Sequence, residues 1–191
     1  MENIFLEFIG PYKFWGKENS LFEDKNVKNL SGIYLWTIET DKGYMIHYVG
    51  QTTRFAIRQK EHLINILGLN YGIFNANKAK NGIQEVIWNG LWRDKNDISF
   101  EGKLKEIYLD KKSEIIDYIE SIDIFFAKLD GSNNLREHVE GSIGWNLRNN
   151  HKEVKTLYPD DNHIGISNKL NCKLKIINKF NILGIDNEMD I

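Results

Sequence analysis

The sequence predicts an α/β chain of the α+β kind, with a small mixed or antiparallel central sheet flanked by helices. Three observations carry that expectation. Residues 32–38 (GIYLWTI) and 44–49 (YMIHYV) are β-rich runs joined by the polar, glycine-closed segment 39–43, as in a hairpin. Beyond Gly50 the apolar spacing changes to about 100° per residue over 54–67, the period of a helix. Late in the chain, residues 122–129 (IDIFFAKL) are again rich in β-formers, and a turn at 130–133 leads into a second helical pattern over about 134–149.

Each element can be justified in order. Residues 1–30 hold Phe5, Phe8, Tyr12, Phe14, Trp15 and Phe22 around a Gly10-Pro11 turn, which predicts an N-terminal arm packing on the core. In the hairpin, the start of the first strand and the end of the second share one end, so Tyr34 and Tyr48 come close. His47 precedes Tyr48, and strand alternation sends it to the opposite face, away from any catalytic role. In the following helix Phe55, Ala56, Leu63, Ile66 and Leu67 form an apolar stripe, and Arg58 and His62, four apart, share a face beside it. Residues 69–121 are expected as an insertion holding a short strand at 85–88 and a helix over 103–121. In the last helix Leu135, Val139, Ile143 and Leu147 make one stripe with Glu140 at its edge. Residues 151–191 are a polar extension beyond a domain spanning 31–150.

Composition bounds the class. Hydrophobic residues at 41% and aromatics at 12% are enough for a packed core. The single cysteine, Cys172, rules out an intramolecular disulfide and a cysteine-rich zinc site and suits a reducing compartment. Neither a signal peptide nor an 18-residue apolar run is seen, so the expected address is the cytoplasm, with no membrane partner. A net charge of −2 excludes a broadly basic nucleic-acid binder but not a local basic cleft.

Taken together, Gly32-Ile33-Tyr34, Tyr48-Val49-Gly50, then Arg58 and His62, then Val139-Glu140 with Ile143-Gly144, resemble the GIY-YIG nuclease family. The resemblance covers residues 31–62 and resumes at about 129–147. It implies a metal-dependent endonuclease hydrolysing DNA phosphodiester bonds at a single site, of a restriction or mobile-element type. Glu140 would bind Mg²⁺ or another divalent metal such as Mn²⁺, with Glu137 as its near competitor. Arg58 would hold the scissile phosphate. Tyr34 would be the general base or would orient the attacking water, and Tyr48 and His62 would complete the proton network.

Two departures stand out. The hairpin loop is slightly long for the family. Position 152, where the family commonly has an asparagine, is lysine, so Asn149 is the stand-in. Outside the resemblance, Arg93 in the insertion and the basic run Lys169, Lys173, Lys175 are candidate nucleic-acid contacts. Double-stranded DNA is the expected partner, and cutting both strands from one site requires a homodimer or sequential nicking. The alternatives are a nuclease-like module that binds nucleic acid or protein without cutting, and a nuclease acting on branched DNA or RNA.

Overall fold

The computed structural model describes residues 3–15, 20–91, 100–151, 154, 157, 170 and 172–191, the side chains of 100 and 101 excepted. It shows a mixed seven-stranded sheet with helices on it. The strands are β1 (Asn3–Tyr12), β2 (Gly32–Thr40), β3 (Gly43–Thr52), β6 (Ile122–Lys128), β7 (Lys173–Ile177), β8 (Ile182–Leu183) and β9 (Glu188–Asp190). Their order is β8-β3-β2-β6-β1-β7-β9. The central pairs β3·β2, β2·β6 and β6·β1 are antiparallel, while β7 joins β1, and β8 joins β3, in parallel. A separate small ladder pairs β4 (Ile73–Phe74) with β5 (Val86–Trp88).

The α+β expectation holds, but the sheet is larger than predicted. The N-terminal segment is not an arm laid on the core. Its β1 is an interior strand between β6 and β7. Gly10-Pro11 concealed it, because proline removes a ladder donor. The register shifts between Ile9 and Tyr12, which lets the ladder pass the proline. The C-terminal extension likewise supplies three strands of the same sheet. In β7 Leu174 and Ile176 are buried while Lys173 and Lys175 point outward, the period-two pattern of a half-buried strand.

Residues of β2 alternate between two cores. Ile33 and Leu35 face an aliphatic layer with Val139, Ile143 and Leu147 of α5 (Asn133–Asn150). Tyr34 and Trp36 face an aromatic layer with Phe55 and Ile66 of α1 (Phe55–Leu67) and Ile115, Tyr118 and Ile119 of α4 (Lys112–Ser121). The helix expected over 103–121 is broken at Lys111 into α3 (Phe100–Asp110) and α4. The short α2 (Ala76–Lys80) starts at Asn75, whose side chain accepts from the Lys78 N–H. Ser132 caps α5 in the same way, accepting from the Leu135 N–H. The Arg54 side chain, at the N-cap of α1, makes no capping hydrogen bond. Instead the Leu30 and Lys28 carbonyls accept from the Phe55 and Ala56 N–H groups, tying the helix start to the loop before β2. No helix among the described residues is long and apolar enough to cross a membrane.

Candidate active site

The hairpin builds the floor of the site. Tyr34 pairs with Gly50 and Trp36 with Tyr48 across the ladder, so the two tyrosines are diagonal neighbours on one face. Their rings stack with centroids 6.0 Å apart and 30° between planes. Gly50 is required here: a Cβ on it would lie 2.3 Å from the Tyr34 Cζ and hydroxyl oxygen. The phenol ring occupies the space a side chain would fill.

Helix α1 closes the floor from above. Its buried stripe runs Phe55, Gln59, His62, Ile66, a four-three-four spacing, while Leu67 is exposed. Polar residues at two of those positions are matched by polar atoms beneath them. The Trp36 Nε1–H donates to Gln59 Oε1 at 2.9 Å. The Tyr34 hydroxyl lies 2.6 Å from His62 Nε2, and His62 Nδ1 lies 3.1 Å from the Tyr71 hydroxyl. His62 is thus not beside the stripe but inside it, with its ring edge-on to Trp36 at 4.8 Å. Arg58 stands at the rim, where its guanidinium acts electrostatically on the Tyr34 phenol and donates to Glu61 at 3.1 Å. A polar cleft of about 260 Å³ opens there, lined by Thr52, Thr53, Arg54, Arg58, Glu61 and Asn133.

Helix α5 brings in Glu140 from the other layer. It packs along β3, and the Gln51 backbone lies near enough to the Glu140 carboxylate to favour its charged form. From there it acts electrostatically on Tyr34, Tyr48 and Arg58. Glu140 and the hairpin–α1 residues are therefore close enough to interact electrostatically near the end of β3.

Burial dominates the titration of Glu140, His62 and the two tyrosines. It pushes the Glu140 carboxyl up to about 7, helped by neighbouring Glu137 and opposed by Arg58. It pushes the His62 imidazole down to about 3, helped by Arg58, so this ring is neutral. Burial and the neighbouring phenol raise Tyr34 well above the usual tyrosine value, against the pull of Arg58. Burial likewise raises Tyr48, helped by the Glu140 carboxylate, with Tyr34 and Arg58 pulling the other way. Tyr34 is only 1% exposed, whereas Tyr48 is partly open to solvent.

Other predicted residues lie elsewhere. Asn149 is nine residues beyond Glu140, about 14 Å along the axis and on the opposite face at 1.5 Å and 100° per residue. It is exposed, and its amide donates to the Trp145 carbonyl at 2.8 Å. Lys173 and Lys175 lie on β7, four strands from β3, about 19 Å at 4.8 Å per strand. Both engage Glu188, and Lys175 also sits over the Phe5 ring. Arg93 and Lys169 fall outside the described residues.

His47 departs from the alternation argument. Thr37 pairs with Ile46 after Trp36 pairs with Tyr48, so His47 is the extra residue of a β-bulge. The bulge turns it onto the aromatic layer, against Phe74 and Tyr118. Sequence reasoning missed Gln59 and Tyr71. The 55-59-62-66 spacing could have placed Gln59, but Tyr71, in an irregular segment, carried no signal.

Among the described residues, no three His, Cys, Asp or Glu side chains gather to hold a metal ion. A magnesium-type site needs less, since that ion keeps most of its waters and takes one or two carboxylates. The Glu140 carboxylate fits: it is half-buried, and among the described residues no cation forms an ion pair with it. The chain matches no family model, no curated protein and no solved structure.

Proposed function

We propose that this chain is a metal-dependent endonuclease of the GIY-YIG type, hydrolysing phosphodiester bonds of double-stranded DNA at one site. The observation that carries the reading is the convergence of Tyr34, Tyr48, Arg58, His62 and Glu140, from four elements, at the end of β3.

The chemistry follows from the residues. The Arg58 guanidinium, open to the cleft, offers a planar fork of donors to a phosphate. Tyr48, the phenol that solvent reaches, takes the proton of the attacking water. Tyr34 lies behind it, its ring stacked on the Tyr48 ring and its hydroxyl 2.6 Å from His62 Nε2. His62 stays neutral and acts as a hydrogen-bonding group, not as a store of charge. Glu140 would hold the divalent metal, whose chemistry there is to polarise the phosphoryl oxygen and stabilise the leaving alkoxide. A single such site makes one cut, so both strands are cut by a homodimer or by two successive nicks.

Supercoiled plasmid incubated with Mg²⁺ is the test. Wild-type protein should produce nicked or linear DNA, and Arg58→Ala should be slower by about a hundred-fold or more, the cost of losing one donor to developing charge. Equal rates for the two proteins would overturn the assignment. The exclusion of Asn149 from the site favours one second reading, a nucleic-acid-binding module that does not cut. Retention of DNA in a gel shift, with no cleavage by wild type under any divalent metal, would support it.

A further inference from the structure

The polar cleft beside Arg58 holds more donors than one phosphate contact uses, and bonds within the protein hold two of them in place. Arg136, on the first turn of α5, is only 3% exposed. Its guanidinium donates from Nη1 to the Gly131 carbonyl at 2.7 Å and from Nη2 to Asn133 Oδ1. A guanidinium has no acceptor, so the end of the Asn133 amide that meets it is the oxygen. That leaves over the NH₂ group of an exposed residue lining the cleft, and no protein atom among the described residues accepts from it. Arg54 lines the same cleft. Its N–H donates to Thr52 Oγ1 at 2.9 Å, which holds the turn that carries its side chain. That side chain caps nothing and forms no ion pair among the described residues. Among the described lining residues Glu61 is the single carboxylate, and Arg58 donates to it at 3.1 Å. Two guanidinium groups against one carboxylate leave the cleft positive, in a chain whose net charge is −2.

We propose that this cleft is a subsite for a second backbone phosphate of the DNA, next to the one Arg58 takes, with Arg54 and Asn133 as its donors and Arg136 as the residue that orients the Asn133 amide. It rests on the nuclease reading of the site, whose single phosphate contact it extends along the strand. The size of the cleft, about 260 Å³, lies below the roughly 300 Å³ at which pockets begin to enclose whole small molecules. Among the described lining residues Ile57 is the one apolar side chain. A small, open, polar recess suits one charged group of a longer chain. A strand held at one phosphate can still swing about that point, whereas two held phosphates fix its direction, and phosphate contacts set register in this way without reading sequence. The two donors also differ in kind. Arginine displaces counterions from the phosphate, and a neutral amide contributes a hydrogen bond alone.

Binding of a short DNA duplex, measured in EDTA across a range of salt concentrations, separates these contributions without any cutting. Arg54→Ala should bind more weakly and flatten the plot of log affinity against log salt by about one, the loss of one phosphate contact. Asn133→Asp is the sharper variant, because it sets a carboxylate against Arg136. A merely structural Asn133 would then keep its thermal stability and its DNA affinity. The subsite predicts undiminished stability with binding weakened about ten-fold or more, since a donor to phosphate has become a negative charge. Asn134→Asp makes the same charge change one residue along, at an exposed position outside the lining, and should weaken binding far less. An unchanged salt slope in Arg54→Ala overturns the proposal, and so does equal weakening by the two asparagine variants or none by Asn133→Asp, even if wild type cuts plasmid. Should Asn133→Asp not fold, the slope of Arg54→Ala, a change at an exposed side chain, decides alone. No cleavage by wild type, with the variants weakened as stated, rejects the nuclease reading and keeps the subsite. No duplex binding by wild type overturns both.

Discussion

The two faces of the sheet are cut from the same strands and could hardly differ more in chemistry. One face is aliphatic: Ile33, Leu35, Ile46 and Val49 of the hairpin meet Val139, Ile143 and Leu147 of α5, with Leu174 and Ile176 alongside. The other is aromatic and polar: Tyr34, Trp36 and Tyr48 meet Gln59 and His62 of α1, and His47 meets Tyr118. Both are buried. Apolar packing tolerates exchange of side chains of similar volume, whereas a buried polar group is costly unless its own partner is present. The first face therefore sets whether the chain folds, and the second sets what the folded chain can do. Glu140 is the exception that joins them, a residue of the aliphatic-face helix whose carboxylate turns toward the aromatic site.

The largest effect should come from that joint. Glu140→Gln removes the carboxylate proposed to hold the metal and should lower cleavage by about a thousand-fold. Its effect on stability should have the opposite sign. The folded carboxyl holds its proton up to about pH 7, the unfolded one only to its ordinary value near 4.5. The stability this contributes is present below pH 4.5 and is lost as pH rises through 7. Glutamine does not titrate, so at pH 8 without divalent metal the variant should be more stable by about 2 kcal/mol. Urea unfolding at pH 8 and pH 4 checks it, and a variant less stable than wild type at pH 8 would show that the carboxylate is paired, not exposed to a metal.

Next in size is the aliphatic face. Leu35→Ala deletes a fully buried side chain between β2 and α5 and should cost about 3 kcal/mol. Cleavage per folded molecule should be unchanged, because no polar contact of the site passes through Leu35. A loss of specific activity larger than the loss of folded fraction would break the division of labour between the faces.

That division also decides what could be seen in the sequence. The aliphatic face announces itself by period, as in Ile33-Leu35 and Val139-Ile143-Leu147. The candidate residues Tyr34, Tyr48, Arg58, His62 and Glu140 were singled out because their spacing resembles a known pattern, and the structure brings the first four side by side, with Glu140 near enough to act on them electrostatically. Tyr71 was not, because a hydrogen-bond partner from an irregular segment is chosen by tertiary approach and leaves no period, whereas Gln59 stood in the 55-59-62-66 spacing and was overlooked. The lysines of β7 show the reverse error. Lys173 and Lys175 carried a basic signal, yet Leu174 and Ile176 between them mark the same residues as the outer face of a strand. Asn149 was chosen by distance along the chain, and helical rotation places it on the wrong side of α5.

The smallest expected effect concerns His47, the residue that a bulge moved from one face to the other. Its Nδ1–H donates to the Leu157 carbonyl at 3.0 Å and its Nε2 accepts from the Tyr118 hydroxyl at 2.7 Å, an arrangement that uses both nitrogens of a neutral ring. Burial lowers its pKa to about 4, against the Leu157 carbonyl, which pulls upward. Between the ordinary histidine value of 6.5 and pH 4 the unfolded chain binds a proton that the folded chain refuses. Stability is therefore lost as pH falls through that window, by about 2 kcal/mol between pH 7 and pH 4.5 from His47. His62, also buried and neutral, adds a loss of the same sign, while Glu140 opposes both over part of the range. His47→Gln isolates one contribution, since glutamine does not titrate. It should be less stable than wild type at pH 7 but lose about 2 kcal/mol less on acidification to pH 4.5, as measured by urea unfolding. Were the two proteins to lose equal stability, His47 would have to be open to protonation in the fold, and the polar layer on this face would not be sealed at the bulge.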